Sequence, residues 1–322
     1  MRKILSIVII SILTLLISVP VAGNVVAGAA CTVPQPSPDK VTLVGTWTQE
    51  EKARVSFLVS LRKAYDKRIA IAASSPDGSK ALFINADDEF FSACTVKAAY
   101  MLSLCKYLDK NGLNADDIYL TYCEEHHHTG SGYIQHAPFG SQYSVRYLIE
   151  QALNVSDNVA YVMLQSYFGT QYHNAYMQTL GAESLKINYL WSFNETAKDL
   201  CTVWQEIYAY FRNGEGHSTI FRKACTNSPF AYGCLNTKYD YSHKSGDNYG
   251  YYAAYSDAGI IWSETPYVFA ILTNSEETER DIATVNRVAG ILESLFGFRK
   301  TTTIQDRSDA IRGGVTRFVA VW

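Results

Sequence analysis

The chain has no marked excess of either charge. Its 28 Lys and Arg stand against 31 Asp and Glu, a formal net charge of −3. That balance leaves no basic footprint for nucleic acid. No C-x-x-C pair occurs, which counts against a zinc ribbon. Only one long apolar run is present, at the N-terminus. The rest of the chain offers no second membrane span and is expected to be soluble. Neither an internal repeat nor a long low-complexity tract is found.

What is present starts with a basic Met1-Arg2-Lys3, an apolar Ile4 to Val19, then Pro20 and the small-x-small Ala27-Gly28-Ala29. This is the layout of a secretory signal peptide over residues 1–29, read in preference to an uncleaved anchor. Cys31 follows Gly28-Ala29-Ala30, but the large apolar residue that lipid attachment requires upstream is missing. Seven cysteines, an odd number, in a chain expected to leave the cytoplasm imply a thiol that is unpaired or paired between molecules. Cys225 and Cys234 are near enough in sequence for a local disulfide. The 23 tyrosines could line a sugar or peptide cleft, but are read first as an aromatic-rich surface.

Residues 30–48, with Pro34, Pro36, Pro38 and Gly45, read as a linker. Helical periodicity then runs from Gln49 to Tyr65. Two strand-like runs, Arg68 to Ala73 and Lys80 to Asn85, flank Pro76-Asp77-Gly78 and predict a hairpin. A buried helix is expected from Cys94 to Asn111, closed by Gly112. Helical segments fill Ser144 to Gly214, with breaks at Asn154, Gly169, Gly181 and near Asn194. Strands are expected at Tyr239–His243, Tyr251–Trp262 and Tyr267–Asn274. A last helix covers Glu276 to Phe296. This order predicts an α+β fold: an antiparallel sheet built from both ends of the chain, with a helical lobe inserted. One domain is expected over 49–299, with a tail over 300–322.

Three short stretches carry chemistry-bearing residues. In Cys94-Thr95-Val96-Lys97 the helical spacing puts Lys97 beside Cys94. An amine there can take a thiol's proton or stabilise its thiolate, and the start of a helix favours the thiolate further. Ser156-Asp157-Asn158 falls between helices. Ser156 could relay a proton there, Asn158 could bind a substrate amide, and Asp157 would hold the loop. Lys244-Ser245-Gly246 ends one strand-like run. Lys244 and Ser245 could bind a substrate carboxylate, and Gly246 would let substrate approach the backbone. The N–H groups of Asp247 and Cys94 would face an oxyanion.

Each stretch alone has a plainer reading: a buried cysteine, a helix cap, a β-turn with a solvated lysine. Ser103-Leu104-Cys105-Lys106 repeats the first spacing in mid-helix and is read as a decoy. His126-His127-His128, with Glu124 and Glu125, is read as a solvated loop.

With serine in place of Cys94, the three stretches read S-x-x-K, S-D-N and K-[ST]-G, in that order. The chain resembles the class A β-lactamases and penicillin-recognising serine hydrolases over roughly Gln49 to Phe296. Leu153 to Tyr161 and Ser256 to Ile261 strengthen the likeness. The resemblance implies a two-lobed fold with the cleft between an α/β and an all-α lobe. It implies acyl transfer from a β-lactam or a cell-wall peptide amide through a covalent intermediate on Cys94. Lys97 would be the base and Ser156 the relay, with substrate held by Asn158, Lys244, Ser245, Gly246 and Asp247. No metal or organic cofactor is implied, and the protein is expected to act as a secreted monomer.

Two departures stand out. Cysteine replaces the family's serine, and neither Glu183 nor Glu195 can be assigned the family's water-activating role. A D-alanyl-D-alanine peptidase, or a silent protein that binds wall fragments, are the alternative readings.

Overall fold

The computed structural model describes residues 39–214, 216–226, 228–229 and 237–297. The expected signal peptide, Cys31, Cys234 and the tail after residue 300 lie outside the described residues.

Six strands form one antiparallel sheet: β1 (Val41–Val44), β2 (Ile69–Ser74), β3 (Ala81–Ile84), β8 (Tyr241–Asn248), β9 (Ala254–Ile261) and β10 (Tyr267–Thr273). Their order is β1-β3-β2-β10-β9-β8, so strands from both ends of the chain meet at the β2–β10 pairing. Successive side chains of a strand point to opposite faces, and β2 shows this division. Ile69, Ile71 and Ala73 join one core with α1 (Gln49–Ala64) and α8 (Glu279–Phe296). Ala70 and Ala72 join the other core, which continues into the helical lobe.

That lobe is gathered around α2 (Val96–Lys110), whose residues from Val96 to Cys105 are all buried. A helix apolar on nearly every side belongs inside a domain. Around it pack α3 (Val145–Asn154), α4 (Asn158–Phe168), α5 (Gln171–Leu180), α6 (Ala197–Asn213) and α7 (Ser218–Cys225). Short strand pairs tie the lobe's edges. These are β4 (Glu89–Phe90) with β7 (Glu195–Thr196), and β5 (Tyr119–Thr121) with β6 (Gln142–Ser144).

The expected α+β architecture is present, with four local corrections. β1 lies inside the segment read as linker. β8 runs five residues further than the expected strand, to Asn248, and the strand expected from Tyr251 starts at Ala254 after a turn of 3₁₀-helix at Gly250–Tyr252. α8 starts at Glu279, where Thr278 caps it. α2 starts at Val96, so Cys94 stands in the turn before the helix and not in it. Among the described residues, no helix is long and apolar enough to cross a membrane.

Candidate active site

The backbone is forced into unusual conformations at two points of the site. Ala93 has φ 43° and Ser156 has φ 56°. Non-glycine residues in this left-handed region store about 1–3 kcal/mol each and persist only where the surroundings hold them. Ala93 lies in the turn that swings Cys94 out ahead of α2. Ser156 lies between α3 and α4.

Asp157 clamps the second of these. Its carboxylate accepts from the N–H groups of Tyr133 (2.7 Å) and Ile134 (3.0 Å), and caps α4 through Ala160 N (2.9 Å). The segment from Thr129 packs so closely that a Cβ at Gly130 would lie 2.7 Å from Asn158 Nδ2. Asp157 therefore holds the loop, as its chemistry predicts, and the loop aims Ser156 and Asn158 inward.

There they meet Lys97. Its Nζ donates to Ser156 O at 2.6 Å and to Asn158 Oδ1 at 2.7 Å, and lies 3.3 Å from Ser156 Oγ. Lys97 is wholly buried, and its ammonium also lies over the rings of Tyr161 (5.6 Å) and Trp191 (5.5 Å). Burial pushes its pKa down, opposed by the Cys94 sulfur. Burial alone would push the Cys94 pKa up. The ammonium groups of Lys97 and Lys244 outweigh it, and the net shift is downward, toward thiolate. Cys94 Sγ lies 3.9 Å from Asn158 Oδ1.

β8 closes the opposite side as the edge strand of the sheet. Lys244, Ser245 and Gly246 lie in the middle of β8, not at its end. Trp262 N donates to Asp240 O, so the even-numbered residues that follow pair with β9, and the N–H groups of Ser245 and Asp247 point outward. Gly246 also meets a packing demand within the fold. A Cβ there would lie 2.8 Å from both Cys94 N and Ser92 O, so glycine is needed where the strand meets the nucleophile's turn. Lys244 is buried, and burial lowers its pKa to about 8.

The cleft in front has a volume of about 430 Å³. Cys94, Asn158 and Asp247 line it, together with His128, Trp191 and Tyr249. Lys97, Ser156, Lys244 and Ser245 are buried beside it, none more than 5% exposed. All eight expected site residues thus fall in one neighbourhood.

Sequence reasoning missed the aromatic walls. Trp191 stacks on Tyr161 at 5.3 Å, and Phe91, Phe193 and Tyr252 pack on one another near the mouth. His128, from the loop read as solvated, lines the cleft beside Trp191. The other two rings of the triplet are engaged elsewhere: His126 accepts from Cys123 N, and His127 meets Tyr122 Oη. Cys225 is a buried free thiol.

The decoy is inert. Ser103 is spent on Ala99 O and His173, and Lys106 on Glu206.

The two carboxylates left unassigned also have occupations. Glu183 is paired with Lys186. Glu195 is buried on β7, with Oε1 2.7 Å from Thr95 Oγ1. Neither hydrogen-bonds Lys97, which faces neutral oxygens and aromatic rings.

Comparison with known proteins agrees with this geometry. Residues 52–295 match the family model described as the beta-lactamase enzyme family. The solved structure of PBP-A is 21% identical, covering 79% of this chain and 98% of that one, with a TM-score of 0.65. A point mutant of PBP-A, solved as an acyl-enzyme complex with penicillin G, is 20% identical over 76% of this chain and 95% of that one, also at 0.65. A beta-lactamase from Chitinophaga pinensis DSM 2588 is 16% identical over 75% and 98%, with a TM-score of 0.67. None of the curated proteins matches the sequence significantly. With the family's model matched over most of this chain and the fold of the solved relatives around the cleft, this chain belongs to the beta-lactamase enzyme family, a family of hydrolases.

Proposed function

We propose that the protein is a secreted acyl-transfer hydrolase that opens a β-lactam or a cell-wall peptide amide through a thioester on Cys94. The observation that carries this reading is the Lys97 ammonium, buried between Ser156 and Asn158, beside a partly exposed thiol biased toward thiolate.

The thiolate attacks the carbonyl carbon, and the oxyanion is received by the N–H groups of Cys94 and Asp247. The C–N bond then breaks, and the leaving nitrogen takes a proton from the Lys97 ammonium by way of Ser156 Oγ. Lys97 is left as a neutral amine, a state its burial favours. It can then accept a proton from the water that attacks the thioester, and the C–S bond breaks to return the thiolate. Asn158 would hold the substrate amide. Lys244 and Ser245 would attract its carboxylate.

A second reading is favoured by one specific observation. No carboxylate among the described residues hydrogen-bonds Lys97, whose neighbours are Tyr161 and Trp191. Water activation is then weak, and a long-lived acyl-enzyme of the kind formed by a D-alanyl-D-alanine peptidase is expected with β-lactams.

Intact-mass measurement after adding penicillin G tests both. An adduct absent from Cys94→Ala supports the acyl-enzyme, and its persistence for many minutes with release of D-alanine from a pentapeptide favours the peptidase. An adduct undiminished in Cys94→Ala, or none in the wild type, sinks the proposal.

A further inference from the structure

Glu195 is wholly buried, and no lysine or arginine among the described residues bonds it. Among the described residues its Oε2 has no partner, and its Oε1 meets only Thr95 Oγ1, at 2.7 Å. Thr95 follows the nucleophile directly. Its hydroxyl also lies 2.6 Å from the carbonyl oxygen of Ser92.

A threonine hydroxyl carries one hydrogen. A backbone carbonyl has none to give, so the short contact to Ser92 O uses the Thr95 hydrogen. The equally short contact to Glu195 then needs a hydrogen from the glutamate. An ionised Glu195 would leave either two facing lone pairs at Ser92 or a buried carboxylate without a donor. Only the neutral acid satisfies both contacts.

The surroundings agree. β7 lies against β4, α6 and the first turn of α2. On these elements Lys198 is given to Asp87, Lys97 to Ser156 and Asn158, and Glu89 is exposed. The nearby Glu183 is given to Lys186. Asp199 adds a repelling charge, and Tyr161 also feels Glu195.

We propose that Glu195 is a positioning residue that acts as a neutral acid: its proton, donated to Thr95 Oγ1, lets Thr95 brace Ser92 and so fixes the turn that presents Cys94. Burial first, and Asp199 in addition, raise its pKa to about 8 against the pull of Thr95. When this proton leaves, the Thr95 hydrogen is drawn to the carboxylate, and Ser92 O keeps only the 3.0 Å bond from Thr95 N in place of two bonds. The turn with Ala93 at φ 43° then relaxes, and the Cys94 N–H leaves the oxyanion position.

This inference rests on Cys94 being the nucleophile, and the test separates the two. Infrared difference spectra of wild type against Glu195→Gln are to show a protonated-carboxyl band at pH 7. The band is to titrate away with a midpoint near 8 and persist in Cys94→Ala. In parallel, the rate of penicillin acylation is followed against pH. Glutamine is neutral and donates through its amide, so the Glu195→Gln rate is to equal wild type near pH 6. It is to exceed wild type about tenfold at pH 9, where about nine-tenths of Glu195 is ionised. Glu195→Ala is to be slow at every pH. Lys244 titrates in the same range but is common to wild type and Glu195→Gln, so it cancels in their ratio.

A missing band at pH 7, or a pH-independent ratio, overturns the role of Glu195 and leaves the nucleophile untouched. Failure of penicillin to label Cys94 with the band intact overturns the nucleophile alone.

Discussion

Two stretches around α2 share one spacing. Cys94 precedes Lys97 by three residues, and Ser103 precedes Lys106 by three. By spacing alone, both would set a nucleophilic atom beside an amine on one helix face. The structure gives them opposite fates. Ser103 sits in regular mid-helix with its hydroxyl spent on Ala99 O and on a buried, neutral His173. Lys106 reaches out to Glu206 at 2.6 Å, so a carboxylate satisfies its charge. Cys94 instead stands in a strained turn at the mouth of a cleft. Lys97 is buried against neutral oxygens and two aromatic rings, and no carboxylate among the described residues hydrogen-bonds it. Spacing alone therefore sets up no chemistry. The turn exposes the nucleophile, and burial beside the Cys94 sulfur lets the lysine act as a proton donor and acceptor.

The largest expected effect separates the two lysines. Lys97→Ala is expected to slow penicillin acylation by about 10²–10⁴-fold, the range for loss of a positioned acid–base group. Lys106→Ala is to leave the rate unchanged. Equal losses in stopped-flow acylation would erase the distinction.

The next test presses on the strained turn. Gly246→Ala drives a methyl group into Cys94 N and Ser92 O. It is expected to cost about 1–3 kcal/mol in urea unfolding, with acylation lost as well. Gly290→Ala, in the exposed face of α8 with nothing within 4 Å, is expected to stabilise by about 0.5–1 kcal/mol. A Gly246→Ala protein as stable and active as wild type would mean that β8 does not brace the turn.

The two neighbourhoods should also titrate from opposite ends. His173, beside Ser103, has its pKa lowered by burial from 6.5 to about 4. The unfolded chain binds more protons in that window, so stability is full above pH 6.5 and falls as pH drops toward 4, by at most about 3 kcal/mol. Glu195, beside Thr95, has its pKa raised from 4.5 to about 8. Here the folded chain binds more protons, so stability falls as pH rises from 4.5 toward 8. In Tm measured against pH, His173→Gln is to flatten the acid limb and Glu195→Gln the alkaline one. The smallest effect is expected from Ser103→Ala: about 1 kcal/mol for one buried hydrogen bond, with acylation intact.

Most of the site was legible in the sequence because its parts are local. Each motif fits within four residues, and helix and turn signals such as Gly112, Gly169 and Gly181 mark the elements that carry them. What could not be read depends on partners far along the chain. Glu195 gains its meaning from Thr95, 100 residues away. Trp191 becomes a cleft wall only when its loop folds over Tyr161. β8 was cut short because Lys-Ser-Gly-Asp is a poor β pattern, yet an edge strand facing a polar cleft needs such residues. β1 was hidden because four residues between prolines and Gly45 carry too little alternation to stand out from a linker.

The most direct measurement is to locate the penicillin adduct by digesting the labelled wild-type protein and sequencing the modified peptide by mass spectrometry. The account predicts a thioester on Cys94, with Ser103 unmodified. An adduct on Ser103, or one that forms only after Cys94→Ser, would contradict it.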